Sequence, residues 1–214
     1  MNSEPSFADY FSQVQSTPGW EAILQSFARF AALPPHSRAL DVGCGPGALA
    51  RHLARDGHTV IGVDADPLMV DRAQYLATGI GGVTFEIGNV QKLRFEDGSF
   101  DAALATNVLF LIHDPAVGLR EMARVIKPGG IVVMLNPSPN LTLAAAESLA
   151  DERQLDGVAR VSLVNWARAA ESHRRLSADD ARALFAAAGL TQFECVEKVG
   201  GGLALLAKGV KRNA

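Results

Sequence analysis

The sequence has few cysteines, little net charge and no long apolar run, and each of these absences excludes a class of protein. Its two cysteines, Cys44 and Cys195, have no metal-ligand spacing, so we expect reduced thiols, no metal site and a cytoplasmic setting. A net charge of −3 argues against a nucleic-acid or anionic-membrane partner. The longest apolar stretch, near 102–112, is interrupted by polar residues and is too short to span a bilayer.

Length and hydrophobic content indicate one globular domain. With 214 residues, of which 48% are hydrophobic, the chain can bury a substantial core, and we predict a single domain over 1–214. The first residues have neither the basic residues nor the apolar run of a secretion signal. Strand-like and helix-like segments alternate between residues 37 and 136, which is typical of an α/β protein with a parallel sheet.

Three segments depart from this alternation. Residues 1–33 read as an N-terminal helical segment, and residues 137–175 read as two helices, which predicts a helical cap inserted after the fifth strand. After a further helix, residues 191–208 form two strand-like runs around Gly200-Gly-Gly202, with no helix between them. This pattern predicts an antiparallel hairpin at the edge of a mostly parallel sheet.

The most informative motif is the glycine-rich segment 39–50. A short apolar strand carries Asp41 and then breaks into three closely spaced glycines before a helix. Glycines at this spacing let the backbone turn tightly against a ligand, and the helix N-terminus offers free N–H groups. Twenty-one residues after Gly43, a second strand ends on Asp64, which is placed to hold a ribose diol. Together these features predict a nucleotide-type cofactor site.

Four motifs in order make the chain resemble the class I S-adenosylmethionine-dependent methyltransferases, in the UbiE-like or methyltransferase-11-like small-molecule branch. They are Leu-Asp-Val-Gly-Cys-Gly-Pro-Gly at 40–47, Val-Ile-Gly-Val-Asp at 60–64, Asp-Gly-Ser-Phe-Asp at 97–101 and Arg-Val-Ile-Lys-Pro-Gly-Gly at 124–130. The resemblance covers about residues 37–136 and also fits the final hairpin. It implies a Rossmann-like seven-stranded sheet, S-adenosylmethionine as cofactor with S-adenosylhomocysteine as product, and a small-molecule acceptor.

Two other functions fit part of this pattern. Gly43, Gly45 and Ala48 also satisfy the glycine pattern of NAD(P)-dependent Rossmann oxidoreductases. Asp41 argues for the methyltransferase, because a carboxylate there can attract the ammonium of a methionine moiety. Gly47 and the final hairpin point the same way. A binding module that keeps the S-adenosylmethionine pocket without the chemistry is the second alternative.

The resemblance implies a set of cofactor contacts along the carboxyl ends of the strands. Asn89 stands where the family commonly has an acid that accepts a hydrogen bond from the adenine amine, and its side-chain oxygen can accept the same bond. The other residues expected near the cofactor are Asp41, Gly43, Cys44, Gly45, Gly47, Asp64, Ala65, Met69, Val90 and Asn107.

The acceptor side is less clearly marked. His113 lies near the presumed substrate opening and could deprotonate a hydroxyl acceptor, although a surface role is an alternative. Four aromatic residues near the opening or in the helical segments are candidates for substrate binding, with core packing as the alternative: Tyr10, Phe11, Phe110 and Trp166. We expect acceptor choice to reside in the N-terminal segment and the 137–175 insertion. The acceptor atom and the oligomeric state are left open.

Overall fold

A seven-stranded sheet forms the centre of the structure, a computed structural model that describes residues 6–213. Its strands are β1 (Arg38–Val42), β2 (Thr59–Asp64), β3 (Val83–Ile87), β4 (Phe100–Thr106), β5 (Ile126–Pro137), β6 (Leu190–Lys198) and β7 (Ala204–Lys211). They lie in the order β3-β2-β1-β4-β5-β7-β6. The first five are parallel and β7 is antiparallel to both of its neighbours, which confirms the predicted fold class.

The eight helices within residues 6–213 are α1 (Phe7–Gln15), α2 (Pro18–Ala31), α3 (Ala48–Arg55), α4 (Pro67–Leu76), α5 (Pro115–Val125), α6 (Leu143–Glu152), α7 (Gly157–Ser172) and α8 (Ala178–Ala187). Six of these eight helices begin at a residue whose side chain accepts from the first turn; the exceptions are α3 and α7. A Thr or Asp cap followed by proline starts α2, α4 and α5. Ser6 and Ser177 form capping boxes with the aspartates three residues later, Asp9 and Asp180.

The sheet separates two apolar cores, because alternate residues of its strands point to opposite faces. Leu104 of β4 and Leu135 of β5 pack against α2, α3 and α4 on one face. Ala105 and Met134 pack against α5 and α8 on the other. The two cores cover both faces of the sheet. The carboxyl ends of the parallel strands lie along one edge, where the loops that follow them meet.

Two segments of the structure differ from what their sequences suggest. Lys127-Pro-Gly-Gly130 is typical of a break between elements, but β5 begins at Ile126 and runs through this segment with a shift of register opposite Phe100. An ion pair of 2.6 Å between Lys127 and Asp101 holds this irregular start beside β4. The N-terminal segment 1–33 contains two helices, separated at Ser16; its residues 1–5, like residue 214, lie outside the described residues.

The segment 137–175 contains α6 and α7, which pack against each other over the carboxyl end of β5. A small core of their own, separate from the two faces of the sheet, joins them to Leu203 in the turn before β7. We call α6 and α7 the cap. No helix within residues 6–213 is long and apolar enough to cross a membrane.

Candidate active site

The glycine loop between β1 and α3 is folded tightly onto β2 and β4. The N–H groups of Gly43 and Cys44 both donate to the Val63 carbonyl, at 2.7 and 3.0 Å. Gly43 has φ +65°, and a Cβ atom built on it would lie 2.2 Å from a methyl group of Val108. Any side chain at 43 would therefore push the end of β4 away from the loop. The close approach brings the ends of β1, β2 and β4 together at one point.

Gly47, the last glycine of the loop, has a different neighbour. Its φ is +79°, and a Cβ atom there would lie 2.6 Å from the Phe85 ring of β3. It is also the N-cap of α3 and offers no side chain to the helix. Gln15 of α1 supplies that group instead, because its side-chain oxygen accepts from the Ala48 N–H at 3.2 Å. The amide of Gln15 therefore sits directly on the loop.

Asp64, at the end of β2, faces the same loop with both carboxylate oxygens engaged. One oxygen accepts from the Gly45 N–H at 2.8 Å and the other from the Asp66 N–H at 2.9 Å. A carboxylate oxygen has two lone-pair sites, so each keeps one for a further donor. The two hydroxyls of a ribose are donors of the kind that this half-buried group can accept.

Asp41 is fully buried beneath the loop and is only half satisfied. One of its oxygens accepts from the Ala50 N–H at 3.1 Å, whereas the other, Oδ1, has no hydrogen-bond partner among the described residues. Burial raises the pKa of Asp41 to about 7, against the lowering effect of the Ala50 N–H. A buried oxygen without a partner is costly, so a cationic donor placed beside it would relieve that cost and favour the ionised form.

The other residues expected at the cofactor differ in burial: some side chains lie in the core and others are exposed. The side chain of Cys44 is buried in the core, and burial raises the pKa of its thiol well above the usual range, so it is not a nucleophile. Met69 is buried and Ala65 is exposed. Asn89 is exposed, and its side-chain oxygen accepts from the Gln91 N–H at 2.8 Å in a local turn. The side chain of Val90 lies in the core.

Three residues expected at the site follow the end of β4: Asn107, expected at the cofactor, and Phe110 and His113, expected at the acceptor. Asn107 leaves the strand with φ +57°, and Phe110 is buried three residues later. His113 is exposed just before α5. The histidine beside Phe110 is His173 at the end of α7, whose ring centroid lies 6.2 Å from that of Phe110.

Side-chain contacts join α1, α4 and the cap around this edge. The Tyr10 hydroxyl accepts from the Asn165 amide at 3.2 Å, and Phe11 packs edge-on against Tyr10. The indole N–H of Trp166 donates to the Asn107 side-chain oxygen at 3.1 Å. The structure thus brings Trp166 to Asn107, whereas Tyr10 and Phe11 lie on α1.

Several residues of this region were not foreseen from the sequence. Arg72 of α4 donates to Ser12 at 3.0 Å and lies 3.5 Å from Asp9, so it fastens α1 to α4. Gln15 and Asn165 are ordinary polar helix residues in the sequence, and no local pattern marks them. Asn136 is fully buried, and its side-chain oxygen accepts from the Phe110 N–H at 3.2 Å. Among residues 6–213, no group of three or more potential ligands is placed to hold a metal ion.

Comparison with a protein-family model identifies the central part of the chain. Residues 40–134 match the family described as methyltransferase domain. The match begins within β1 and ends within β5, so it contains the glycine loop, Asp64 and the end of β4. It excludes α1, α2, the cap and the final hairpin.

Relatives of known activity match a similar stretch. The chain is 36% identical over 122 residues to a 2-methyl-6-phytyl-1,4-hydroquinone methyltransferase of Synechocystis, covering 56% of this chain and 38% of the relative. It is 33% identical over 151 residues to a ubiquinone biosynthesis O-methyltransferase of Xanthomonas campestris, covering 64% of this chain and 63% of the relative. The chain therefore spans less than two thirds of the length of each.

A solved structure matches almost the whole chain. An S-adenosylmethionine-dependent methyltransferase of Thermotoga maritima superposes with a TM-score of 0.64 at 20% identity, covering 96% of both chains. At this identity the likeness concerns the fold. At 96% coverage it includes most of the chain outside residues 40–134, which the family model leaves out.

Proposed function

We propose that this protein is a class I S-adenosylmethionine-dependent methyltransferase that transfers the methyl group of S-adenosylmethionine to a small organic acceptor. The match of residues 40–134 to the methyltransferase domain family supports this proposal. The observation that carries the proposal is the pair of acids at the glycine loop. Asp41 keeps a buried oxygen without a partner, and Asp64 keeps an unused lone pair on each oxygen. The free oxygen of Asp41 suits an ammonium group, and the two oxygens of Asp64 suit a ribose diol.

The residues fit the cofactor as a whole. Asp64 would accept from the ribose hydroxyls, and Asp41 would face the methionine ammonium. The Asn89 oxygen would accept from the adenine amine with its second lone pair. Gly43, Gly45 and Gly47 would let the backbone approach the ligand, with Ala65, Met69 and Val90 near the adenine. Bound S-adenosylmethionine supplies an electrophilic methyl group on its sulfonium.

The protein's own contribution to the reaction is alignment and exclusion of water. The rigid end of β4 fixes Asn107 and Phe110 beside the glycine loop, while α1 and the cap cover this edge. Holding the acceptor in line with the methyl group can lower the barrier by several kcal/mol without a covalent intermediate. Removing water from the nucleophile also lowers the barrier to methyl transfer.

A hydroxyl acceptor would also need a base, for which the two candidates are His113 and His173. The Nδ1 atom of His173 lies 2.9 Å from the Ala169 carbonyl. A carbonyl can only accept, so Nδ1 carries the proton, and Nε2 of the neutral ring keeps a lone pair. This fixed tautomer and the contact with Phe110 favour His173. Replacing it with alanine should reduce transfer to a hydroxyl acceptor roughly 100-fold or more, whereas His113→Ala should have little effect.

The acceptor we propose is a small, largely apolar molecule. The aromatic side chains of Phe110, Tyr10, Phe11 and Trp166 near this edge suit such a ligand. The relatives named for hydroquinone and ubiquinone methylation support a phenolic compound as the first class to test. We also propose that the protein acts in the cytoplasm, without a nucleic-acid partner.

The test combines binding with an acceptor screen. Calorimetry should show binding of S-adenosylhomocysteine at micromolar-scale affinity and no binding of NAD. Methyl-labelled S-adenosylmethionine should then transfer its label to a hydroquinone or catechol in a panel that also contains amines and thiols. Binding of NAD alone would indicate an oxidoreductase. Binding of S-adenosylhomocysteine without transfer to any compound would indicate a binding module.

A further inference from the structure

The cap reaches the cofactor edge through one hydrogen bond, from the Trp166 indole to Asn107. Asn107 is the first residue after β4, and its N–H donates to the Leu135 carbonyl at 2.8 Å. Its φ of +57° turns the chain out of the strand at this point. The side-chain oxygen then accepts from the indole N–H of Trp166 at 3.1 Å.

This bond fixes which way the Asn107 amide points. The oxygen and nitrogen of an amide are similar in shape, and their assignment follows from the hydrogen-bond partners. An indole N–H can only donate, so the amide atom that meets it must be the oxygen. The NH₂ group is therefore turned away from Trp166, and its nitrogen, Nδ2, forms no hydrogen bond within residues 6–213.

The free NH₂ group belongs to a residue that borders the glycine loop. Val108, the next residue, packs on Gly43 so closely that no Cβ atom could fit at position 43. Asn107 thus stands where the methionine end of the cofactor would lie. A donor there suits the methionine carboxylate and not its ammonium, which Asp41 can accept.

We propose that Trp166 is a positioning residue, which orients Asn107 so that Nδ2 donates to the methionine carboxylate of S-adenosylmethionine. The inference rests on the cofactor site of the proposed function and deepens it. Trp166 is well placed for this role, because its half-buried ring packs both against the core beneath α2 and against the small core of the cap. The cap therefore contributes to cofactor affinity and not to acceptor choice alone.

The test uses a pair of ligands that differ in the methionine part. S-adenosylhomocysteine has the carboxylate, whereas 5′-methylthioadenosine retains the adenosine and lacks the amino-acid group. Calorimetry should show that Trp166→Phe and Asn107→Ala each weaken S-adenosylhomocysteine about tenfold, with 5′-methylthioadenosine unchanged. The double variant should bind no more weakly than either single variant, because both remove the same contact.

Two further variants keep the result interpretable. Asn107→Asp retains an oxygen for the indole but replaces the donor by an anion, so it should weaken S-adenosylhomocysteine more than Asn107→Ala does. Trp20→Phe is the matched control, since Trp20 is also half-buried and its indole N–H has no partner in the described part of the chain. It should leave both affinities unchanged.

Three results would overturn the inference. Trp166→Phe could bind S-adenosylhomocysteine within twofold of the wild type, or it could weaken both ligands equally, which would indicate general damage to the site. In either case the cofactor assignment would stand. Wild-type protein that binds neither ligand would overturn the proposed function together with this inference.

Discussion

At the carboxyl edge of the sheet, polar contacts run from backbone N–H groups to two acids, whereas the helices that cover this edge are held by pairs of side chains. Asp41 and Asp64 accept from N–H groups of the glycine loop, of α3 and of the turn after β2. The covering helices, α1 and α7, depend on contacts such as that between Tyr10 and Asn165, 155 residues apart in the chain. The first region is held mainly by backbone groups close together in the chain, and the second by side chains from distant parts of it.

The largest expected effect comes from Asp41, whose buried carboxylate, in the proposed site, would stabilise the bound cofactor at the expense of the folded protein. Its folded-state pKa of about 7 lies above the ordinary value of 3.8, so the folded state holds the proton more tightly. Stability is therefore lost as pH rises from about 4 to 7, and the penalty is complete above 7. Asp41→Asn should raise the free energy of unfolding at pH 8 by roughly 2–4 kcal/mol, measured by denaturant titration.

The same carboxylate predicts a pH dependence of cofactor binding. A methionine ammonium favours the ionised form of Asp41, so below pH 7 binding must first release a proton. The wild-type affinity for S-adenosylhomocysteine should fall as pH decreases from 8 to 5, by up to about tenfold per pH unit below 7. Asp41→Asn should bind weakly at each pH. A wild-type affinity that does not change over this range would contradict the role given to Asp41.

Asp64 provides the next largest effect. Removing its carboxylate in Asp64→Ala should weaken S-adenosylhomocysteine by roughly 2–3 kcal/mol, because the ribose loses a charged acceptor and the Gly45 N–H loses its partner. Asp64→Asn keeps the size of the side chain and one acceptor, so it should lose less. Near-wild-type binding by a folded Asp64→Ala protein would show that the ribose is held elsewhere.

Gln15 lies on the boundary between the two regions and should have an intermediate effect. Its oxygen serves as a helix cap for α3, so Gln15→Ala should lower the free energy of unfolding by about 1 kcal/mol. Gln15→Glu retains an acceptor and adds a charge favourable at a helix N-terminus, and it should restore stability. Equal stabilities of the alanine and glutamate variants would exclude the capping role.

The smallest effect is expected within the cap. Asp151 and Arg160 form an exposed ion pair at 2.6 Å, and the Asp151 side chain is 70% exposed. Asp151→Ala should change stability by about 0.5 kcal/mol or less and leave S-adenosylhomocysteine affinity unchanged, measured by thermal unfolding and calorimetry. A large loss of binding here would show that this exposed part of the cap also affects the cofactor site.

The same contrast explains how much could be predicted from the sequence. The mostly parallel sheet with its final hairpin, the glycine loop and the acids at 41 and 64 could be predicted from contiguous motifs, because their contacts are made by neighbouring backbone. The early start of β5 could not be predicted, since Lys127–Gly130 reads as a breaker until Asp101 of the neighbouring strand is seen to hold it. Contacts of Gln15 with Ala48 and of Trp166 with Asn107 join distant residues that no local pattern connects.

The position of β7 has a consequence for the order in which the protein can assemble during synthesis. β6 is made before β7 but pairs only with it, so neither β6 nor the free edge of β5 has a partner until residues 204–211 leave the ribosome. An unpaired strand edge is a template for pairing with another chain. A nascent chain halted near residue 200 would therefore expose the edge of β5 and leave β6 unpaired, and a single strand, β7, would cover both on its arrival.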